Sequence, residues 1–147
     1  MATRLTELLD EFEVRRFPEG TRTADDAARA IGCSLGQIVK SLVFTAAGHP
    51  VVALVSGSNR LDPVCLGRLA GEPVAKADAE ATRVATGYAI GGVPPFGHAQ
   101  PLAVYIDRDL LQFDVVWAAA GRPDSVFAVT PQRLLEVSGA VAADLKA

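Results

Sequence analysis

Residues 91–98 read Gly-Gly-Val-Pro-Pro-Phe-Gly-His, and neither a helix interior nor a central strand can be built from them. Glycine enters φ > 0 and lets another group approach the bare backbone. Proline locks φ and removes an N–H donor. The stretch predicts a stiff loop that presents backbone groups, with Phe96 as its one large apolar side chain. Two readings stand at this level: a packed tight turn, or a binding loop, since binding residues concentrate on loops carried by a rigid scaffold.

The elements around the loop are punctuated clearly. Leu5, Leu8, Leu9 and Phe12 recur at helical spacing after a candidate N-cap, Thr3. Residues 13–17 alternate as a short strand and stop at Pro18. Thr23 precedes an Ala-rich stretch with Asp25 and Asp26 in its first turn and Gly32 at its end, the pattern of a capped helix. Residues 38–46 and 51–55 read as two strands of a hairpin around Gly48-His49-Pro50, a connection of three to five residues. Helices are predicted from Asp62-Pro63 to Leu69, from Asp78 to about Ala85, and from Thr130-Pro131 to Gly139. Residues 102–106, 115–119 and 126–129 read as further strands. Helices and strands interspersed with short turns favour a mixed α+β sheet over a regular parallel one.

Composition narrows the function classes. At 147 residues the chain is expected to form one domain over residues 1–147. Half of it is hydrophobic, which suits a globular core. A net charge of −3 and a pI near 5.3 argue against a broad nucleic-acid coat, though not against a small cationic patch for one phosphate-bearing ligand. The N-terminal stretch has no apolar segment of the kind a secretory signal needs, and no run approaches a membrane span, so a cytoplasmic place is the expectation. Cys33 and Cys65 lack metal-ligand spacing and read as reduced, partly buried thiols. With His49 and His98 as the only histidines, no metal site is expected.

Lys40 is the outstanding polar residue. It lies in Gln-Ile-Val-Lys-Ser-Leu-Val-Phe, residues 37–44, among apolar neighbours. Period-2 alternation puts Ile38, Lys40, Leu42 and Phe44 on one face, so the ammonium must meet a cavity, a carboxylate or water. It reads either as an exposed lysine lying on its apolar stem or as a holder of a ligand phosphate or carboxylate. His98 could serve as an acid, a base or a hydrogen-bonding handle. Asp107 and Asp109 read as turn and helix-start residues. The arginines at 15, 16, 22, 29, 60, 68 and 83 are expected mostly on solvated faces. Nucleophile elbows, phosphate-binding loops, zinc helices and dinucleotide fingerprints are absent from the sequence.

The combination of Gly32-Cys33, the lysine strand 37–44, Lys76-Ala77-Asp78 and the segment 86–97, Thr-Gly-Tyr-Ala-Ile-Gly-Gly-Val-Pro-Pro-Phe-Gly, resembles the YbaK/EbsC/ProX family of free-standing, prolyl-tRNA-synthetase-associated editing domains. The likeness runs from about residue 20 to about residue 140. It implies an α+β domain with a central mixed, barrel-like sheet surrounded by helices. It implies trans-editing: hydrolysis of the ester between a wrong amino acid and a tRNA 3′ end, with Cys-tRNA(Pro) or Ala-tRNA(Pro) as the type of substrate. Lys40 matches the family's essential lysine beside the terminal adenosine. Gly91, Gly92, Val93, Pro94, Pro95, Phe96 and Gly97 match the loop whose backbone holds the aminoacyl group, and His98 follows it. Pro94 and His98 depart from the more usual loop and are candidate specificity positions.

The resemblance implies no metal, no cofactor and no protein nucleophile. Partners would be the aminoacyl-tRNA acceptor end and prolyl-tRNA synthetase, with the chain a monomer or homodimer and no membrane involved. The chemistry is adequate, because an aminoacyl ester is already activated and yields to orientation and electrostatic help. The alternatives are a tRNA- or nucleotide-binding module without turnover, and a domain that acts by docking on a synthetase.

Overall fold

The computed structural model describes residues 2–17 and 23–146. Pro18, expected to end the first strand, and Arg22 fall outside the described residues. Two strands with alternating apolar residues, β2 (Val39–Ala46) and β3 (His49–Ser56), form the centre of the fold. They pair antiparallel, with Lys40 opposite Val55 and Val43 opposite Val52. Their connection is shorter than expected: Ala47 and Gly48 alone turn the chain, at φ 50° and 83°. Positive φ at both central residues matches the twist of the flanking strands, and it leaves His49 and Pro50 inside β3.

Around this hairpin grows a mixed sheet. Antiparallel β4 (Val74–Lys76) lies along one end of β2, parallel β5 (Ala103–Asp107) beside β3, and parallel β8 (Val141–Ala143) beside β5. The order is β4-β2-β3-β5-β8. A second, antiparallel sheet is ordered β1-β7-β6, from β1 (Val14–Arg16), β7 (Ser125–Val129) and β6 (Val116–Ala119). A parallel bridge between Ile38 and Trp117 joins the two sheets, which do not close into a barrel.

The two faces of the five-stranded sheet carry different cores. Val39 and Val43 of β2 and Val52 and Leu54 of β3 pack with Ile106, Val116 and Phe127 in the main core between the sheets. Leu42 and Phe44, with Ala53 and Val55, pack on the other face against Leu66 of α3 (Pro63–Ala70). A third cluster seats Ala27 and Ala28 of α2 (Ala24–Ile31) on Ile38, Trp117 and Val126. Fully burying one such side chain stabilises by about 1.5–3 kcal/mol.

Local chemistry starts the helices. Thr23, Asp62, Asp78 and Thr130 each accept a backbone N–H from the first turn of α2, α3, α4 (Ala79–Thr86) and α5 (Pro131–Ser138), removing one unsatisfied donor at each start. Thr3 departs from this pattern: α1 (Ala2–Leu9) begins before it, so Thr3 sits within the helix and not at its N-cap. Leu5 of α1 is buried in the main core, where packing of an apolar face holds the helix.

Candidate functional site

The site begins with a gap in the edge of β2. β4 pairs with β2 over residues 44–46, and Ala77 N–H adds a last rung to Val43 O at 3.0 Å. The bridge to β6 lies back at Ile38. Between these points residues 40–42 have no strand beside them on the outer edge among the described residues. An antiparallel ladder alternates its direction of hydrogen bonding. Because Val43 points its carbonyl outward, Ser41 turns its own N–H and C=O to the same open side. The gap opens into a cavity of about 330 Å³. Lys40, Ser41 and Leu42 form one wall, Ile90, Gly91 and Val93 the opposite wall, and Trp117, Ser125 and Val126 come from the second sheet.

The loop wall is held in place by its own chemistry. At its base Ala99 N–H donates to Thr86 O at 2.8 Å, while Thr86 Oγ1 donates to Thr82 O at 2.8 Å and accepts from Tyr88 N–H at 3.1 Å. Phe96 is 4 % exposed and anchors the loop in the core, with its ring centroid 5.5 Å from Phe127 and 6.1 Å from Phe12. Gly92 is required by close approach: a Cβ there would stand 3.0 Å from Arg122 Cα and 3.2 Å from its N. Gly97 lies at φ 74° under Leu5. His98 Nε2 donates to Pro94 O at 2.7 Å, closing the second half of the loop on itself. Burial pushes the His98 imidazole below the usual histidine range, against the pull of that carbonyl, so the ring is a neutral brace.

The strand wall supplies charge. Lys40 keeps to the face of Leu42 and Phe44, as its alternation predicts, while Ile38 joins the cluster under α2. Lys40 Nζ donates to Asn59 O at 2.7 Å. Burial pushes the ammonium below the ordinary lysine range; the Asp107 carboxylate opposes this and the Arg60 guanidinium adds to it. Ser41 faces the other way. Its Oγ is buried and has no hydrogen-bond partner among the described residues, and the residue lines the cavity. A buried hydroxyl without a partner costs about 1–3 kcal/mol, so this group is poised to bond whatever enters. Arg15 lies 4.8 Å above the Trp117 ring and stiffens the far wall.

The residues expected from sequence thus divide. Lys40, Gly91 and Val93 meet at the cavity. Gly92, Phe96, Gly97 and His98 act behind the wall, and Pro94 and Pro95 are buried beside them. Ser41, Asn59, Asp107 and Trp117 were not anticipated as site residues. Ser41 carried one signal, its place next to Lys40; the others come together only through the sheet. Both cysteines are free and half-buried. Burial raises the Cys33 thiol, and the hydrogen bond to Asp62 raises that of Cys65, so neither is poised as a thiolate.

Comparison with known proteins places this geometry. The profile of the aminoacyl-tRNA editing domain matches residues 18–137. A crystal structure of a candidate trans-editing enzyme for prolyl tRNA synthetase superposes with a TM-score of 0.93 at 48% identity, covering 99% of this chain and 96% of that one. The uncharacterized protein YwhH of Bacillus subtilis (strain 168) is 34% identical over 137 residues, 92% of this chain and 87% of that protein. The proline–tRNA ligase of Nitratidesulfovibrio vulgaris (strain DP4) is 33% identical over 99 residues, 67% of this chain but 17% of the ligase. The chain therefore spans about a sixth of that ligase's length. The lysine-bearing gap in β2 and the rigid loop facing it lie within the matched segment, and the chain belongs to the aminoacyl-tRNA editing domain family.

Proposed function

We propose that the chain is a trans-editing hydrolase that removes a wrong, small amino acid from tRNA, with Cys-tRNA(Pro) or Ala-tRNA(Pro) as the type of substrate. The observation that carries this reading is the meeting of Lys40 and the Gly91–Val93 backbone across one cavity of about 330 Å³. That volume is small and its walls are largely apolar, which suits selection by size. A synthetase pocket separates amino acids differing by one methylene by only about 10–200-fold, so a second hydrolytic sieve has chemical work to do.

In this reading the Lys40 ammonium holds a phosphate or developing negative charge at the tRNA 3′ end. The backbone of Gly91 and Val93 and the Ser41 hydroxyl orient the aminoacyl group. Gly92, Pro94, Pro95, Phe96, Gly97 and His98 keep the loop wall in shape. Water adds to the ester carbonyl, the bond to the ribose oxygen breaks, and the proton passes to that oxygen, leaving free amino acid and a tRNA hydroxyl. Orientation of an already activated ester supplies most of the acceleration. The match to proline–tRNA ligases supports that synthetase system as the partner, and a cytoplasmic place among translation proteins goes with it. No described helix is long and apolar enough to cross a membrane.

The test is release of amino acid from a panel of mischarged tRNAs. The wild-type chain deacylates at least one, and Lys40→Ala lowers kcat/KM by about 100-fold or more with the thermal melt unchanged. Salt-dependent tRNA binding with no release on any substrate would instead identify a binding module.

A further inference from the structure

We propose that Asn59 and Asp107 are positioning residues for Lys40: they fix the loop after β3 so that the Asn59 carbonyl holds the ammonium at the cavity. A lysine side chain samples many rotamers, and an ammonium that must meet one substrate group gains from a fixed acceptor. Asn59 O is that acceptor, at 2.7 Å. It lies on a loop between β3 and α3, with exposed Ser58 and Arg60 on either side, a place where rigidity has to be supplied.

Hydrogen bonds supply it. Asn59 Nδ2 donates to Asp107 Oδ2 at 2.8 Å and to Asp109 Oδ2 at 2.7 Å, using both of its hydrogens. Asn59 N–H donates to Ser56 O at 2.9 Å. Asp107 is 1% exposed at the end of β5. Its Oδ2 also accepts from Ser56 N–H at 3.1 Å, and its Oδ1 from Asp109 N–H at 3.0 Å. One buried carboxylate therefore joins the end of β3, the Asn59 loop and the end of β5. A buried charge is costly, and hydrogen bonds to the ends of two strands could be met by neutral groups. The retained charge has a second effect: it is the anion that offsets the burial of Lys40, against Arg60. Lys146 Nζ, 3.0 Å from Asp109 Oδ2, completes the set of charges around the network.

The kinetic part of the test rests on the hydrolase reading above; the titration part does not. Competitive labelling of lysines with acetic anhydride across pH, read by mass spectrometry, reports the titration of Lys40 in the full chain whether or not it hydrolyses anything. In Asn59→Ala the ammonium is released toward water, so its labelling midpoint moves up toward that of an ordinary lysine, about 10.4. The alkaline limb of the pH–rate profile moves with it, and kcat falls about 10-fold or more. In Asp107→Asn the lost carboxylate moves the midpoint down. Should that buried variant fail to fold, Asn59→Ala decides alone. Wild-type labelling of Lys40 in Asn59→Ala overturns the proposal, even if the rate falls, because a merely structural role would lower the rate without moving the titration. A wild-type chain that deacylates nothing removes the proposed function but leaves the labelling result to decide the positioning.

Discussion

The two walls of the cavity are made by opposite means. The loop wall exposes backbone and apolar surface and carries no charge; it is held by Phe96 in the core, by the Ala99–Thr86 rung and by the His98–Pro94 bond. The strand wall sets a charge and a buried hydroxyl where β2 has no neighbouring strand among the described residues, and it is held by a polar network centred on Asp107. One wall is shape fixed by packing, the other is charge fixed by hydrogen bonds. Damage to the first should cost stability together with function, whereas loss of the Lys40 ammonium from the second should cost function alone.

Phe96→Ala gives the sharpest contrast with Lys40→Ala. Truncating this buried ring removes its contacts with Phe12 and Phe127 and is expected to cost about 3–5 kcal/mol, measured by denaturant unfolding. Equal melts for Phe96→Ala and Lys40→Ala would erase the distinction between the walls. Gly92→Ala is milder: the new Cβ meets Arg122 backbone at 3.0–3.2 Å, so the loop must shift. The expected cost is about 1–3 kcal/mol, with a fall in kcat/KM that Lys40 chemistry does not share. Wild-type stability and rate would show that the loop wall tolerates displacement.

The smallest effect is a pH dependence. His98 has its imidazole pushed below the ordinary value of 6.5 by burial. As pH falls below about 6.5 the unfolded chain takes up a proton that the folded chain refuses. The unfolded state then binds more protons, and stability drops until pH passes the lowered folded value. His98→Gln should flatten that part of the stability–pH curve, read from melts at stepped pH. An unchanged slope would separate His98 from the bracing of the loop.

Much of the architecture was legible because its signals are local. The α2 sequence carries its own start at Thr23 and stop at Gly32, and the structure places the helix there. Alternation in residues 39–46 set β2 and the side of Lys40. β4 and β8 were missed because each has three residues and gains its strand character from a distant partner, β2 and β5 respectively. The hairpin connection was overestimated because His49 and Pro50 look like turn residues until pairing draws them into β3. Within the site, the lysine and the loop announced themselves, while Asp107 looked like an ordinary strand-end turn residue until burial and its three hydrogen-bond partners set it apart.

The sequence by itself determined the ingredients: a loop too rich in glycine and proline to be regular, a cation in an apolar strand, and capped helices between them. Those follow from the backbone freedom of each residue and the cost of burying a charge. Only the tertiary structure decided that Gly91 and Val93 of the loop reach the cavity while Phe96 and His98 brace it from behind, that β2 lacks a neighbour among the described residues where Ser41 opens outward, and that Asn59 and Asp107 come to Lys40 from 19 residues and more along the chain. Sheet pairing brings residues far apart in sequence to within a hydrogen bond of each other, and no local pattern records which ones will meet.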